Sequence, residues 1–308
     1  MIKAVFIVGP TASGKTAVSI ELAKKFGGEI VSADSMQIYK GIHIASAAPE
    51  TEEMCGIPHH LIEFLDISSE FSVADYVKAA RSCIRDIHNR GKLPIIVGGT
   101  GLYISSLLDN IEFTEQPADN ALRSELEAKF DRLGGEEMLK ELSCFDKASA
   151  DRLHPNNRRR IIRAFEVFLT TGKTITEQNI NSKQNSGEIT PLIIGLNFED
   201  RERLYERINK RVDIMVENGL VNEARDNYNG NKKTGAFQAI GHKEFYPYFE
   251  GECTLGQAVE NLKMQTRRYA KRQLTWFRRV ENVNWFYLDT SSNLEGIMNL
   301  TENFLKEE

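Results

Sequence analysis

Apolar positions cluster along the chain in two textures. Residues 3–8, Glu29–Ala33, Leu93–Val97 and Pro191–Phe198 are short apolar runs without the polar alternation of a half-exposed sheet. They read as strands covered on both faces. Between them the spacing changes to that of helices. Residues 16–26 place Ala17, Ile20, Leu22, Ala23 and Phe26 on one side, and residues 72–90 follow a capping Ser72 and stop at Gly91. Buried strands alternating with helices predict an α/β fold with a parallel sheet flanked by helices.

From about residue 115 the strand texture disappears. Residues 119–133, 135–144 and 156–171 carry helical spacing, with Gly134 and Gly172 as stops. The polar run Lys173–Thr190 has no core-forming pattern and reads as an exposed connection. Strand texture returns at Pro191, the C-terminal third is mostly helical, and a last apolar run lies at Val283–Leu288. The expected organisation is a core formed by 1–114 and 191–308, interrupted by a smaller all-helical insertion domain at 115–190.

The 308 residues are 41% hydrophobic and 27% charged, with a formal net charge of −5. That is the balance of a soluble globular protein, and no run approaches the roughly 18–20 apolar residues of a membrane span. The Ala4–Val8 run is too short for a signal-peptide core, so a cytoplasmic location is expected. Cys55, Cys83, Cys144 and Cys253 are scattered without a CxxC pair, as reduced thiols are.

The first strand runs into Gly9-Pro10-Thr11-Ala12-Ser13-Gly14-Lys15-Thr16, a complete G-x-x-x-x-G-K-T that opens the first helix. Its glycines let successive amides point at one anion, and the helix N-terminus adds partial positive charge. Lys15 reaches outer phosphates and the Thr16 hydroxyl suits Mg²⁺. This is the loop with which nucleotide-binding proteins hold ATP, so the fold class is a P-loop NTPase-like parallel sheet. The motif fixes a di- or polyphosphate site and leaves the ester open.

Asp34 closes the second strand in Ser32-Ala33-Asp34-Ser35-Met36-Gln37-Ile38-Tyr39. Ligands of open parallel sheets collect at carboxyl ends of strands, so Asp34 is a candidate proton acceptor or metal contact, with turn capping as the plainer alternative. Gly98-Gly99-Thr100-Gly101-Leu102-Tyr103 follows another strand. It is either a second phosphate-facing loop or a structural turn. Arg158, Arg159, Arg160 and Arg163 form one basic cluster. A second runs through Arg267, Arg268, Tyr269, Lys271, Arg272, Trp276, Phe277, Arg278 and Arg279, mixing cations with aromatic rings in the manner of RNA-binding surfaces. A solvated helix face over core aromatics is the competing account. His59-His60 suits local packing better than metal ligation, because adjacent histidines point apart.

The chain resembles the transfer-RNA dimethylallyltransferases, or isopentenyltransferases. The resemblance rests on GPTASGKT, DSMQIY, IPHH, GGTGLY, RRRIIRAFEV, QAIGHKE and RQLTWFR, which occur in family order over nearly the whole chain. It implies that the phosphate loop holds dimethylallyl diphosphate and that adenosine 37 of a tRNA anticodon stem-loop is the acceptor. By the same resemblance Asp34 is the general base, and Thr100, Arg211, Lys15 and Thr16 with Mg²⁺ steady the leaving diphosphate. The flipped adenine would be held by Asp34, Ser35, Met36 and Gln37. The tRNA surface would be Arg158, Arg159, Arg160, Arg163, Arg267, Arg268, Lys271, Arg272, Trp276 and Arg278. His242 stands where the family more often has Tyr, which weakens any ring-stacking role there. The zinc-finger extension of eukaryotic members is not found, so a bacterial type is expected, acting as a monomer. The rival readings are a small-metabolite kinase, an isopentenyltransferase acting on free adenylate, and a non-catalytic RNA-binding protein.

Overall fold

Five strands begin and end where the apolar runs do, to within about two residues, and a sixth, the two-residue strand His59–His60, lies in no such run. A computed structural model describes residues 1–111, 120–184, 187–228, 235–290 and 293–307. Among these residues β1 (Ile2–Val8), β2 (Gly28–Ser32), β3 (His59–His60), β4 (Leu93–Gly98), β5 (Ile189–Asn197) and β6 (Val283–Tyr287) form one sheet. Their order is β3-β2-β4-β1-β5-β6 and every pairing is parallel. Val5, Ile7, Ile95, Ile194 and Leu196 at its centre are fully buried and pack with Val18, Leu22 and Ile297. The expected α/β class with a helix-flanked, P-loop NTPase-like parallel sheet is therefore observed.

The helices, in chain order, are α1 (Lys15–Phe26), α2 (His43–Ser46), α3 (Val73–Asn89), α4 (Gly101–Leu108), α5 (Asn120–Ser143), α6 (Lys147–Arg152), α7 (Arg158–Thr171) and α8 (Ile175–Gln184). They continue with α9 (Arg201–Glu217), α10 (Leu220–Asp226), α11 (Tyr246–Phe249), α12 (Leu255–Phe277) and α13 (Asn293–Lys306). Ser72 caps α3 through a reciprocal pair of bonds with Asp75. Two compact units result: residues 1–108 with 188–308, and residues 109–187. The boundary expected at 114–115 and the first residue of the 119–133 helix lie outside the described residues.

In the helical unit, Leu126, Met138, Leu142, Ile161, Ile162 and Phe165 form a core of their own. Gly134, at φ 78°, interrupts α5 where the sequence places a stop. The polar run after Gly172 departs from expectation, because it contains α8. The signal is a Thr174-x-x-Glu177 capping box: Glu177 N–H donates to Thr174 Oγ1 (3.0 Å), and Thr174 N–H donates to Glu177 Oε2 (2.7 Å). Its few apolar residues hide that helix from periodicity alone.

Candidate active site

The phosphate loop leaves β1 at its carboxyl end and cannot follow an ordinary path. Gly9 sits at φ 149°, with the Leu196 carbonyl where a side chain would project, and Gly14 opens α1 at φ 85°. Ala12, between them, also has positive φ (62°). The loop thus wraps around a space instead of filling it. That space is part of a cavity of about 1000 Å³, bordered by Thr11–Thr16, Asp34–Gln37, Gly98–Gly99, the α9 residues Arg207, Ile208, Lys210 and Arg211, and the α12 residues Tyr269, Arg272 and Gln273.

Cations converge here. Lys15 Nζ donates to the carbonyls of Gly9 (3.1 Å) and Pro10 (2.7 Å). One turn apart on α9, Arg207 Nε donates to the Ala12 carbonyl (3.0 Å) and Arg211 Nη1 to Thr11 Oγ1 (3.3 Å). Burial, reinforced by Arg211, pushes the Lys15 ammonium down to about 7, against an opposing pull from Asp34. Burial likewise lowers Arg211, and the Asp34 charge partly offsets it. A cluster of desolvated, mutually repelling cations around a wound backbone is an anion site.

Asp34 lies two residues beyond the end of β2 and borders the cavity, while its Oδ1 accepts from Met36 N–H (2.9 Å). Turn capping and a cavity-facing position are therefore both realised in one side chain. Gln37, also on the wall, is held by Ser32 Oγ donating to its Oε1 (2.8 Å) and by its Nε2 donating to the Ala47 carbonyl (3.1 Å). Thr100 Oγ1 accepts from Ser35 N–H (3.0 Å), which ties the GGTGLY loop to the Asp34 loop. Thr16 is exposed on the same wall. With Asp34 it offers hard oxygen donors of the kind that complete a phosphate-bound Mg²⁺.

The basic-aromatic helix α12 divides between the two accounts left open by its sequence. Phe277 is fully buried, so it is a core residue and not a stacking platform. Tyr269 turns inward to the cavity, and its hydroxyl is raised well above the usual range, chiefly by burial and then by Asp34. Arg268, Lys271, Arg272, Trp276 and Arg278 are exposed. Arg267 is half-buried against Asn209 (2.5 Å). In the helical unit Arg159, Arg160 and Arg163 are exposed, whereas Arg158 is engaged by Asp131.

His59, which the sequence assigned to local packing, borders the cavity and donates from Nδ1 to the Ile57 carbonyl (2.8 Å), while His60 Nε2 pairs with Glu29 (2.8 Å). Arg207 and Glu223 are residues that the sequence did not single out. Arg207 reaches the phosphate loop from the helix position four residues before Arg211, a spacing that could have flagged it. Glu223 accepts from Ile44 N–H (2.7 Å), Ala45 N–H (2.9 Å) and His242 Nε2 (2.9 Å). His242 is fully buried in this pair. Burial works against the Glu223 charge, but these hydrogen bonds outweigh it and the carboxyl titrates below its ordinary range. Removing this acceptor with Glu223→Ala strands buried donors and is expected to cost roughly 2–3 kcal/mol, read from urea unfolding.

With this geometry in view, comparison with known proteins is decisive. The model of the IPP transferase family matches residues 37–280. The chain belongs to the IPP transferase family. It is 46% identical over 308 residues to the tRNA dimethylallyltransferase of Thermoanaerobacter sp. (strain X514), covering 99% of this chain and 97% of the relative. To the tRNA dimethylallyltransferase of Bacillus subtilis (strain 168) it is 48% identical over 292 residues, covering 94% and 92%. Among solved structures, the full-length tRNA isopentenylpyrophosphate transferase of Bacillus halodurans superposes with a TM-score of 0.74 at 44% identity, covering 99% of this chain and 97% of that one. A eukaryotic dimethylallyltransferase acting on tRNA reaches a TM-score of 0.85 at 31% identity, covering 100% and 82%. No helix among the described residues is long and apolar enough to cross a membrane.

Proposed function

We infer that this chain is a prenyltransferase that moves a dimethylallyl group from dimethylallyl diphosphate to the exocyclic amine of adenosine 37 in tRNA. The observation that carries this reading is the single cavity in which the Lys15–Arg211 anion site lies beside Asp34 and Gln37. The amine nitrogen forms a bond to the allylic carbon as the carbon–oxygen bond breaks, diphosphate leaves with the bonding pair, and one amine proton passes to Asp34. Negative charge grows on the leaving oxygens, so the loop amides, Lys15 and Arg211 bind the transition state better than the ester. Mg²⁺, when bound at Thr16 and the phosphates, supplies further neutralisation. Asp34 and Gln37 supply the hydrogen-bonding edge for a base extruded from the anticodon loop.

In this reading the protein acts as a cytoplasmic monomer. Radiolabelled dimethylallyl diphosphate, Mg²⁺ and unmodified tRNA test the reaction, with parallel tubes of AMP and of RNA carrying guanosine at position 37. Label in the adenosine-containing RNA alone is the expected result. Label on AMP would move the chain to the free-nucleotide class, and ATP turnover without label would make it a kinase.

The exposed cations of both units are the proposed contacts to the RNA backbone. Reversing Arg160 and Arg272 to Glu is expected to weaken RNA binding at least tenfold at low salt, with a shallower dependence on salt concentration in filter-binding titrations.

A further inference from the structure

Helix α12 passes between the two loops that the reaction must hold in register, and one of its side chains joins them. Gln273 is only 5% exposed. Its Oε1 accepts from Thr11 N–H in the phosphate loop (2.8 Å), and its Nε2 donates to the Gly99 carbonyl in the loop that carries Thr100 (3.0 Å). Both ends of one amide are thus spent on two different strand-end loops. The contact is built for this residue, because any side chain at Gly99 would collide with the Gln273 amide. One turn earlier on the same helix, the Tyr269 hydroxyl lies against Thr100 and Gln273. Thr100 in turn holds the Asp34 loop through Ser35. The path from the anion site to the carboxylate therefore runs Thr11–Gln273–Gly99–Thr100–Ser35–Asp34.

We propose that Gln273 is a positioning residue that sets the spacing between the leaving diphosphate and the acceptor amine. This rests on the transfer reaction inferred above. Both polar atoms of the amide are taken by the protein itself, so it fixes the two loops that border the anion site and Asp34. Gln suits the position where a carboxylate does not, since an acceptor must face Thr11 N–H while a donor faces the Gly99 carbonyl. An ionised carboxylate would repel that carbonyl. Its protonated form would restore the missing donor.

That difference supplies the test. The full chain, Gln273→Met and Gln273→Glu are compared for single-turnover transfer to tRNA, for the RNA KM and for affinity towards inorganic diphosphate. Gln273→Met keeps the volume and removes both bonds. It is expected to lower kcat on the order of 10²-fold, the scale of a misplacement near 1 Å, with RNA KM within about twofold. Gln273→Glu is expected to be equally slow at pH 8 and to recover as the pH falls towards 5. Neither the wild type nor Gln273→Met would show that acid limb. A loss confined to the RNA KM, or wild-type kcat in Gln273→Met, overturns the proposal. So does a wild-type pH profile in Gln273→Glu, which preserves shape and decides the matter even where the Met variant misfolds. If the wild type transfers nothing to RNA, the proposed reaction falls, and unchanged diphosphate affinity in both variants would then overturn the role of Gln273 separately.

Discussion

Asp34→Ala retains RNA binding within about twofold and loses most of its turnover, on the order of 10²–10⁴-fold in the single-turnover rate. The direction follows from where the carboxylate stands. It borders the cavity beside Lys15 and Arg211, both of which feel its charge, and it lies outside the exposed basic surface proposed for the RNA backbone. Alanine, however, also removes the cap on Met36 N–H. Asp34→Asn separates the two effects, since its Oδ1 keeps the cap and can still accept from the amine, yet it takes up no proton. A slow Asn variant assigns the loss to proton transfer. An Asn variant near the wild-type rate would show that Asp34 only orients the base.

What the sequence shows and what it hides divide along a physical line. The phosphate loop is legible because strand, glycines, lysine and helix start follow one another without interruption from Ile2 to Lys15. The sheet is legible for a similar reason: strands buried on both faces are contiguous in composition. Gln273 is hidden because its meaning lies in a contact with Thr11 across 262 residues. Tyr269 and Phe277 share a basic-aromatic run with Trp276, but only the rotation of α12 assigns them to cavity, core and surface. Trp276 is 36% exposed and donates from Nε1 to Ser105 Oγ (2.9 Å), covering Gly101 as well as facing solvent. The motif order that identifies the family carries such long-range contacts implicitly, which is why the resemblance reached further than the local pattern.

The second large effect concerns Lys15, whose folded-state titration near 7 lies far below the ordinary 10.5 of a lysine. Only the ammonium form attracts diphosphate, and the bound anion raises its proton affinity again. Below pH 7 the free protein already carries that proton; above pH 7 it must take one up on binding. Calorimetry of inorganic diphosphate binding at pH 8, in buffers of different ionisation enthalpy, is therefore expected to show uptake approaching about one proton, with affinity falling up to about tenfold per pH unit above 7. Diphosphate titrates too, so the control is Lys15→Met, which keeps the ligand's own pH dependence and loses the additional uptake. The same variant is expected to lower kcat/KM on the order of 10²–10³-fold, the scale of one lost charge-stabilising donor. The sign for folding runs the same way in the ligand-free protein. Between about 7 and 10.5 the unfolded chain holds a proton that the folded one has released, so this group makes stability rise with pH across that window. Binding thus weakens where the empty protein grows more stable. A site that only packed a lysine against backbone carbonyls would show the second trend without the first.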